Sequence, residues 1–319
     1  MTVRYLGRRL AQAFFVLWAA FTLGYGVLYL LPSDPVDIML SGGTSGQSQA
    51  TPEQIAALKA ELGLDQPLPV QYARALWSAL HGDFGHSVQT GASVTHSILE
   101  ALPETLKLTG LAFSFSLAFG LLLAFGGTYP RWPLVRQAVL AIPPVAVSLP
   151  TFWVGLVLVQ VVSFQWRLLP AIGNEGFESL ILPALTLAIP IGALVGQVLA
   201  RSILTALEEP YVETALAKGA GRARVHFRHV LRNASIPAMT VAAAWAGQLL
   251  AGSVVVETVY SRSGIGRLVV DAVGNQDIPL VQGLVVLSAL AFVTVNLLVD
   301  VLYPLVDPRV TTSRQGLAA

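Results

Sequence analysis

Cysteine is missing from the sequence altogether, which excludes disulfides and thiolate metal sites. Charge is scarce. Asp, Glu, Lys and Arg make up only 12% of 319 residues, against roughly 25% in ordinary soluble domains. A soluble fold of this length would lack the charge to cover its surface, so much of that surface must face lipid. Neither sign of charge is in excess. The net charge of +1 creates no strong field directed at nucleic acid. Only three lysines occur, Lys59, Lys107 and Lys218, and none completes Gly-x-x-x-x-Gly-Lys-Ser/Thr. A phosphate loop of that form is therefore excluded, and any ATP hydrolysis must reside in another chain. No His-Glu-x-x-His or comparable catalytic metal motif is present.

What is present is apolar, 54% of all residues. A membrane-spanning helix needs roughly 20 mostly apolar residues. Six segments meet this length: about Leu10–Leu31, Leu102–Thr128, Gln137–Ser163, Leu180–Leu204, Ser235–Tyr260 and Leu280–Leu305. The expected fold is all-α, a polytopic bundle of six transmembrane helices. The basic start, Met1 to Arg9, leads into an apolar run ending in Leu31-Pro32-Ser33-Asp34-Pro35. That run is longer than the roughly 7–15-residue core of a signal peptide, so a retained spanning helix is expected. Pro143, Pro144 and Pro150 in the third segment, and Pro183 and Pro190 in the fourth, predict kinks. In a bundle, neighbouring helices can re-satisfy the carbonyls that proline frees. Alternatively the third segment begins near Pro144.

Lys and Arg set the orientation of such a chain. Arg4, Arg8, Arg9, Arg131, Arg136, Arg201, Lys218, Arg222, Arg224, Arg228, Arg232, Arg309 and Arg314 are thirteen of the nineteen cations. All fall on one side if six helices alternate. Lys59, Arg74, Arg167, Arg262 and Arg267 fall on the other, and Lys107 lies near the outer end of the second helix. Both termini and the 201–235 loop are thus expected in the cytoplasm. The expected organisation is a first helix with an external cap loop (1–101), a five-helix core (102–305) and a cytoplasmic tail (306–319). Within the external loop, Thr51-Pro52-Glu53 reads as a helix start, and Pro69–Leu80 as a second short helix.

The 208–237 loop carries the most information. Glu208, Glu209 and Pro210 suit a helix start, Tyr211 to Lys218 gives about two turns, and Gly219 and Gly221 supply a stop. Another helix begins over Val225–Leu231 and re-enters the membrane near Pro237. The short helix would lie across the cytoplasmic face. Its ridge of Val212, Ala215 and Leu216, beside Glu213 and Lys218, suits a groove on a soluble partner.

The pattern Tyr-Val-x-Thr-Ala-x-Ala-Lys-Gly, over 211–219, is followed by Arg-His-x-Leu-Arg-Asn-Ala-x-x-Pro over 228–237. Together they resemble the coupling loop of ABC importer permeases, and more closely the B-type subunit of the dipeptide/oligopeptide/nickel branch. Similar motifs run in order along nearly the whole chain. They are Leu62-Gly-Leu-Asp-Gln-Pro-Leu-Pro-Val-Gln-Tyr72, Leu80-His-Gly-Asp-Phe-Gly85, Leu149-Pro-Thr-Phe-Trp153 and Leu169-Pro-Ala-Ile-Gly173. Val256-Glu-Thr-Val-Tyr260, Gly264-Ile-Gly266, Asn296-Leu-Leu-Val-Asp300 and Asp307-Pro-Arg309 complete the series. The generic loop has Glu-Ala-Ala where this chain has Glu213-Thr-Ala215, and its proline comes earlier; the peptide/nickel branch shares both departures.

The resemblance implies a type I importer architecture without an ATPase site or resident cofactor in this chain. It implies a second homologous permease subunit, two ATPase subunits that bind ATP and Mg, and an extracytoplasmic binding protein, all at a prokaryotic inner membrane. Tyr211, Glu213, Thr214, Ala215, Lys218, Gly219 and Arg232 would form the ATPase-coupling segment. Gln160, Gln197, Gln248 and Glu257 are candidates for the translocation path, with helix-to-helix bonding as the alternative for the glutamines. Glu257 and Asp300 sit near helix ends, where an interfacial carboxylate without a function is the alternative to lining the path. Arg222, Arg224, Arg228 and Arg232 either meet the ATPase or follow the positive-inside bias. Asn296 and Asp300 share a helix face, with packing the expected use of Asn296. Five histidines, His81, His86, His96, His226 and His229, form no metal motif. Cargo is a peptide, or nickel or its chelate, and an ion-coupled secondary transporter is the alternative class. Charged relays in mid-membrane and repeated halves, which that class usually shows, are not visible.

Overall fold

The computed structural model describes residues 3–30 and 66–306. The expected helix start at Thr51 and the tail beyond Val306 lie outside these residues, as do the side chains of Asn296 and Asp300. The described chain is helical: α1 Val3–Leu30, α2 Leu68–Leu80, α3 Val94–Thr128, α4 Pro133–Ser148 and α5 Thr151–Leu158. A π-helical turn, Val159–Gln165, extends α5. There follow α6 Glu178–Leu207, α7 Pro210–Ala217 and α8 Arg222–Val259. The last two are α9 Ile265–Gly274 and α10 Ile278–Val306. The start of α8 contains a second π-helical turn, Val225–Val230.

Among the described residues, four helices are long and apolar enough to cross a membrane: α3, α6, α8 and α10. Counting α4 with α5 as one broken span gives five. The apolar part of α1, Ala11–Val27, is shorter than these. The third expected segment is not a kinked helix. Pro143 and Pro144 sit inside α4, and the chain bends by 107° between α4 and α5. Leu149 takes extended geometry (φ −82°, ψ 130°) ahead of Pro150, the conformation a proline ring favours in its predecessor.

Two compact units divide the chain. One comprises Met1–Glu104 and Arg267–Thr294. There Phe21, Tyr25 and Tyr72 cluster, and Thr22 Oγ1 lies 2.8 Å from Tyr72 Oη. Gln282 Nε2 donates to the Phe21 carbonyl at 2.9 Å. Asp277, buried, accepts from Ser87 Oγ and from the Val88 N–H, tying the 81–93 turn to the start of α10.

The other unit comprises Thr105–Gly266 and Val295–Ala319. Its centre is α6, which packs against α4, α5 and α8 and is buried along most of its length. Leu182, Leu187, Leu199 and Ile203 of α6 meet Leu249 and Val256 of α8 and Leu108 of α3 in one core. Small residues permit the closest approach. A Cβ on Gly196 would stand 2.9 Å from the Gly120 carbonyl oxygen, and one on Gly192 would stand 2.7 Å from that of Ser116. Pro183 cannot donate to the Ser179 carbonyl one turn back; Arg262 Nη1 does so instead, at 3.2 Å. A buried arginine thus replaces the missing helical bond.

Candidate functional site

Helix α7 is started and stopped by local chemistry. Pro210 sits in its first turn, where a missing N–H costs nothing. After Ala217 the N–H of Gly219 bonds the Leu216 carbonyl at 2.9 Å, and that of Ala220 bonds the Ala215 carbonyl at 3.1 Å. This closure needs a left-handed residue, and Gly219 supplies it with φ +82°. Gly221 then enters α8 in extended geometry.

Burial divides the face of α7. Val212 is buried in the same core as Val225, Val230 and Ala234 of α8, with Tyr211 and Ala215 half-buried beside it. Glu213, Thr214, Leu216, Lys218 and Gly219 are exposed, and Leu216 is 49% accessible. The expected ridge of Val212, Ala215 and Leu216 is therefore split. Only Leu216 points outward, and the outer face is Glu213, Leu216 and Lys218. Thr214 Oγ1 donates back to the Pro210 carbonyl at 3.2 Å. The Tyr211 hydroxyl is buried without a partner among the described residues. Arg232 is exposed, just beyond the π-helical turn of α8.

The four pathway candidates do not converge. Gln160, Gln197 and Gln248 are exposed on separate helices. Glu257 is fully buried. Thr105 Oγ1 donates to its Oε1 at 2.7 Å, and the Gly266 N–H donates to its Oε2 at 2.7 Å. The Ile265 N–H donates to Thr105 Oγ1 at 2.8 Å. Glu257 and Thr105 thus satisfy the first N–H groups of α9, where a carboxylate also complements the helix dipole. A cleft of about 420 Å³ is lined by Ser163, Arg167 and Glu178 among others, and by none of the four candidates.

Several polar contacts were invisible in the sequence because their partners are far apart along the chain. His226, one of the five histidines that form no metal motif, is buried with Nε2 3.1 Å from Thr128 Oγ1. His229 is exposed. No cluster of three metal-ligating side chains occurs among the described residues. Arg222, expected at a partner surface or placed by charge bias alone, donates to the Tyr129 carbonyl at 2.6 Å.

The described residues form a helical bundle with a short helix between two long apolar ones, and comparison with known proteins identifies the family. Residues 116–312 match the model of the binding-protein-dependent transport system inner membrane component. Residues 2–109 match that of the N-terminal part of the same membrane component. The chain belongs to this family and is a membrane-spanning permease subunit of the ABC importer class. It is 36% identical over 314 residues to y4tP of Sinorhizobium fredii, described as a probable peptide ABC transporter permease, covering 96% of this chain and 98% of that one. It is 34% identical to the dipeptide transport system permease protein DppB of Escherichia coli K12, covering 90% and 93%. In fold it is similar to the MetNI methionine ABC transporter in an inward-facing crystal form, with a TM-score of 0.53 at 18% identity. That match covers 66% of this chain and 95% of the other.

Proposed function

We propose that this chain is one of two homologous permease subunits that import dipeptides or oligopeptides, with α7 docked on a separate ATPase. The peptide assignment follows the cargo named for the curated relatives, which share a third or more of their residues over nearly the full length. Nickel or a metal chelate remains the other cargo of the branch that the motifs resemble. The partners are the second permease, two ATPase subunits that bind ATP and Mg, and an extracytoplasmic binding protein. This chain has no ATPase site of its own. Counting α1 and the broken α4–α5 pair as one span each would give six and leave both termini and α7 on one side, which the cation bias assigns to the cytoplasm.

The observation that carries this reading is the two-sided character of α7. Its inner side is buried with α8, while Glu213, Leu216 and Lys218 are presented outward. A helix held rigidly from behind can transmit a push from a partner. Closure of the ATPase pair on ATP would shift the bundle between states through this contact.

The test is Leu216→Arg in the complete complex reconstituted in liposomes. Removing an apolar anchor from a docked pocket and burying a charge there costs on the order of 2–4 kcal/mol. ATPase subunits should co-purify less well, and ATP-dependent dipeptide uptake should fall by more than tenfold. Full assembly and uptake in that variant would remove α7 from the coupling role.

A further inference from the structure

We propose that Arg222 and His226 are positioning residues of the energy-coupling step, fastening α7 to the end of α3 so that the two move together. This rests on the reading of α7 as the ATPase-docking helix. Covalently, α7 is joined only to α6 and α8. Its link to α3 is made entirely by side chains.

The first fastening is at the C-terminal end of α3. The last helical carbonyls there have no helical donor. Arg222 Nη2 donates to the Tyr129 carbonyl at 2.6 Å, and its guanidinium lies 5.2 Å from the centre of the Tyr129 ring. A cation at this end also complements the helix dipole. Positive-inside bias would require only that Arg222 sit in the loop, not that it bond a particular carbonyl.

The second fastening has a defined direction. Thr128 Oγ1 lies 2.7 Å from the Ala124 carbonyl, which can only accept, so the single hydroxyl proton is committed there. Towards His226 Nε2, at 3.1 Å, Thr128 must therefore accept, and Nε2 carries the proton. Phe125, Tyr129 and Phe227 pack around the imidazole, with ring centroids 5.4–6.0 Å away.

The other side of the same turn faces α7. Val225 and Val230 flank His226 in the π-helical turn and share a buried core with Val212. The turn itself packs on α7. A continuous path therefore runs from Val212 through one π turn to Thr128 and Tyr129. Displacement of α7 would pull on α3 directly, as well as on α6 and α8.

The test uses the complete complex, with thiol-free partner subunits, in liposomes loaded with ATP and supplied with a dipeptide. Thr128→Val and Arg222→Ala should retain the ATPase subunits and hydrolyse ATP. Peptide moved per ATP should fall roughly five- to tenfold in Thr128→Val, the worth of one buried hydrogen bond, and by less in Arg222→Ala, whose bond to Tyr129 is exposed. Thr128→Ser, which keeps the hydroxyl, should retain the parent ratio. Because the chain has no cysteine, Thr128→Cys with His226→Cys creates a unique thiol pair. Reduced, that variant should be uncoupled; bridged by a short bifunctional thiol reagent, it should recover. Parent ratios in Thr128→Val and in the reduced pair, or a bridge that arrests transport, would overturn the proposal. So would release of the ATPase subunits by these variants, which would mean that they unfold α7. If Leu216→Arg leaves ATPase binding and uptake intact, it is the docking role of α7 that fails, a different outcome.

Discussion

Glu257 sits among apolar helices, and an acid in such a place invites a functional reading. Its surroundings point elsewhere. Both carboxylate oxygens accept bonds, from Thr105 and from the Gly266 N–H, and the group is fully buried. Gly264 and Gly266 leave the room it occupies, since a Cβ on either would run into the Glu257 carboxylate. Nothing in the sequence distinguishes this from a pathway acid, because Thr105 lies 152 residues away. Glu257→Gln should therefore destabilise the protein by about 1–3 kcal/mol, the cost of weakening a buried charged hydrogen bond. Its melting temperature in detergent should fall while the apparent KM for peptide uptake stays at the parent value. A KM shift with unchanged melting would restore the pathway reading.

At the scale of elements, the helices built on unbroken apolar runs were legible. Leu180–Leu204 became Glu178–Leu207, and Leu102–Thr128 became the C-terminal part of Val94–Thr128. The short helix expected over Pro69–Leu80 spans Leu68–Leu80. The region of three prolines was not legible. Each residue before a proline is biased towards extended geometry. Yet Ile142 remains in α4 while Leu149 does not. That bias alone does not decide which proline breaks the chain. The outer face of α7 was legible in part. Spacing put Val212, Ala215 and Leu216 together, but only packing against α8 shows that Val212 turns inward. The close crossing of α3 and α6 was likewise hidden, since single glycines in apolar runs have many uses. Gly196→Leu should force these helices apart, costing at least about 1–3 kcal/mol from overpacking. The purified chain should show lower yield and earlier thermal aggregation. Gly110→Leu, on α3 but with open space around its Cα, should leave both unchanged. Equal effects from the two would mean that the crossing is not tight.

At the scale of the whole molecule, scarce charge and a one-sided cation distribution specify a membrane bundle, but they do not tell a pump from a channel. The docking proposed for the short helix between α6 and α8 would do so, because a docked helix implies a motor elsewhere. Under the proposed fastening to α3, that helix, packed against the start of α8, would be a lever on much of one unit rather than a surface appendage. The four polar candidates for the pathway do not converge among the described residues of this chain. The most direct measurement is uptake of a labelled dipeptide into liposomes that contain the complete complex. Transport should require internal ATP, stop when the catalytic residues of the ATPase subunits are inactivated, and be indifferent to proton or sodium gradients. Uptake by this chain alone, driven by an ion gradient, would contradict the account.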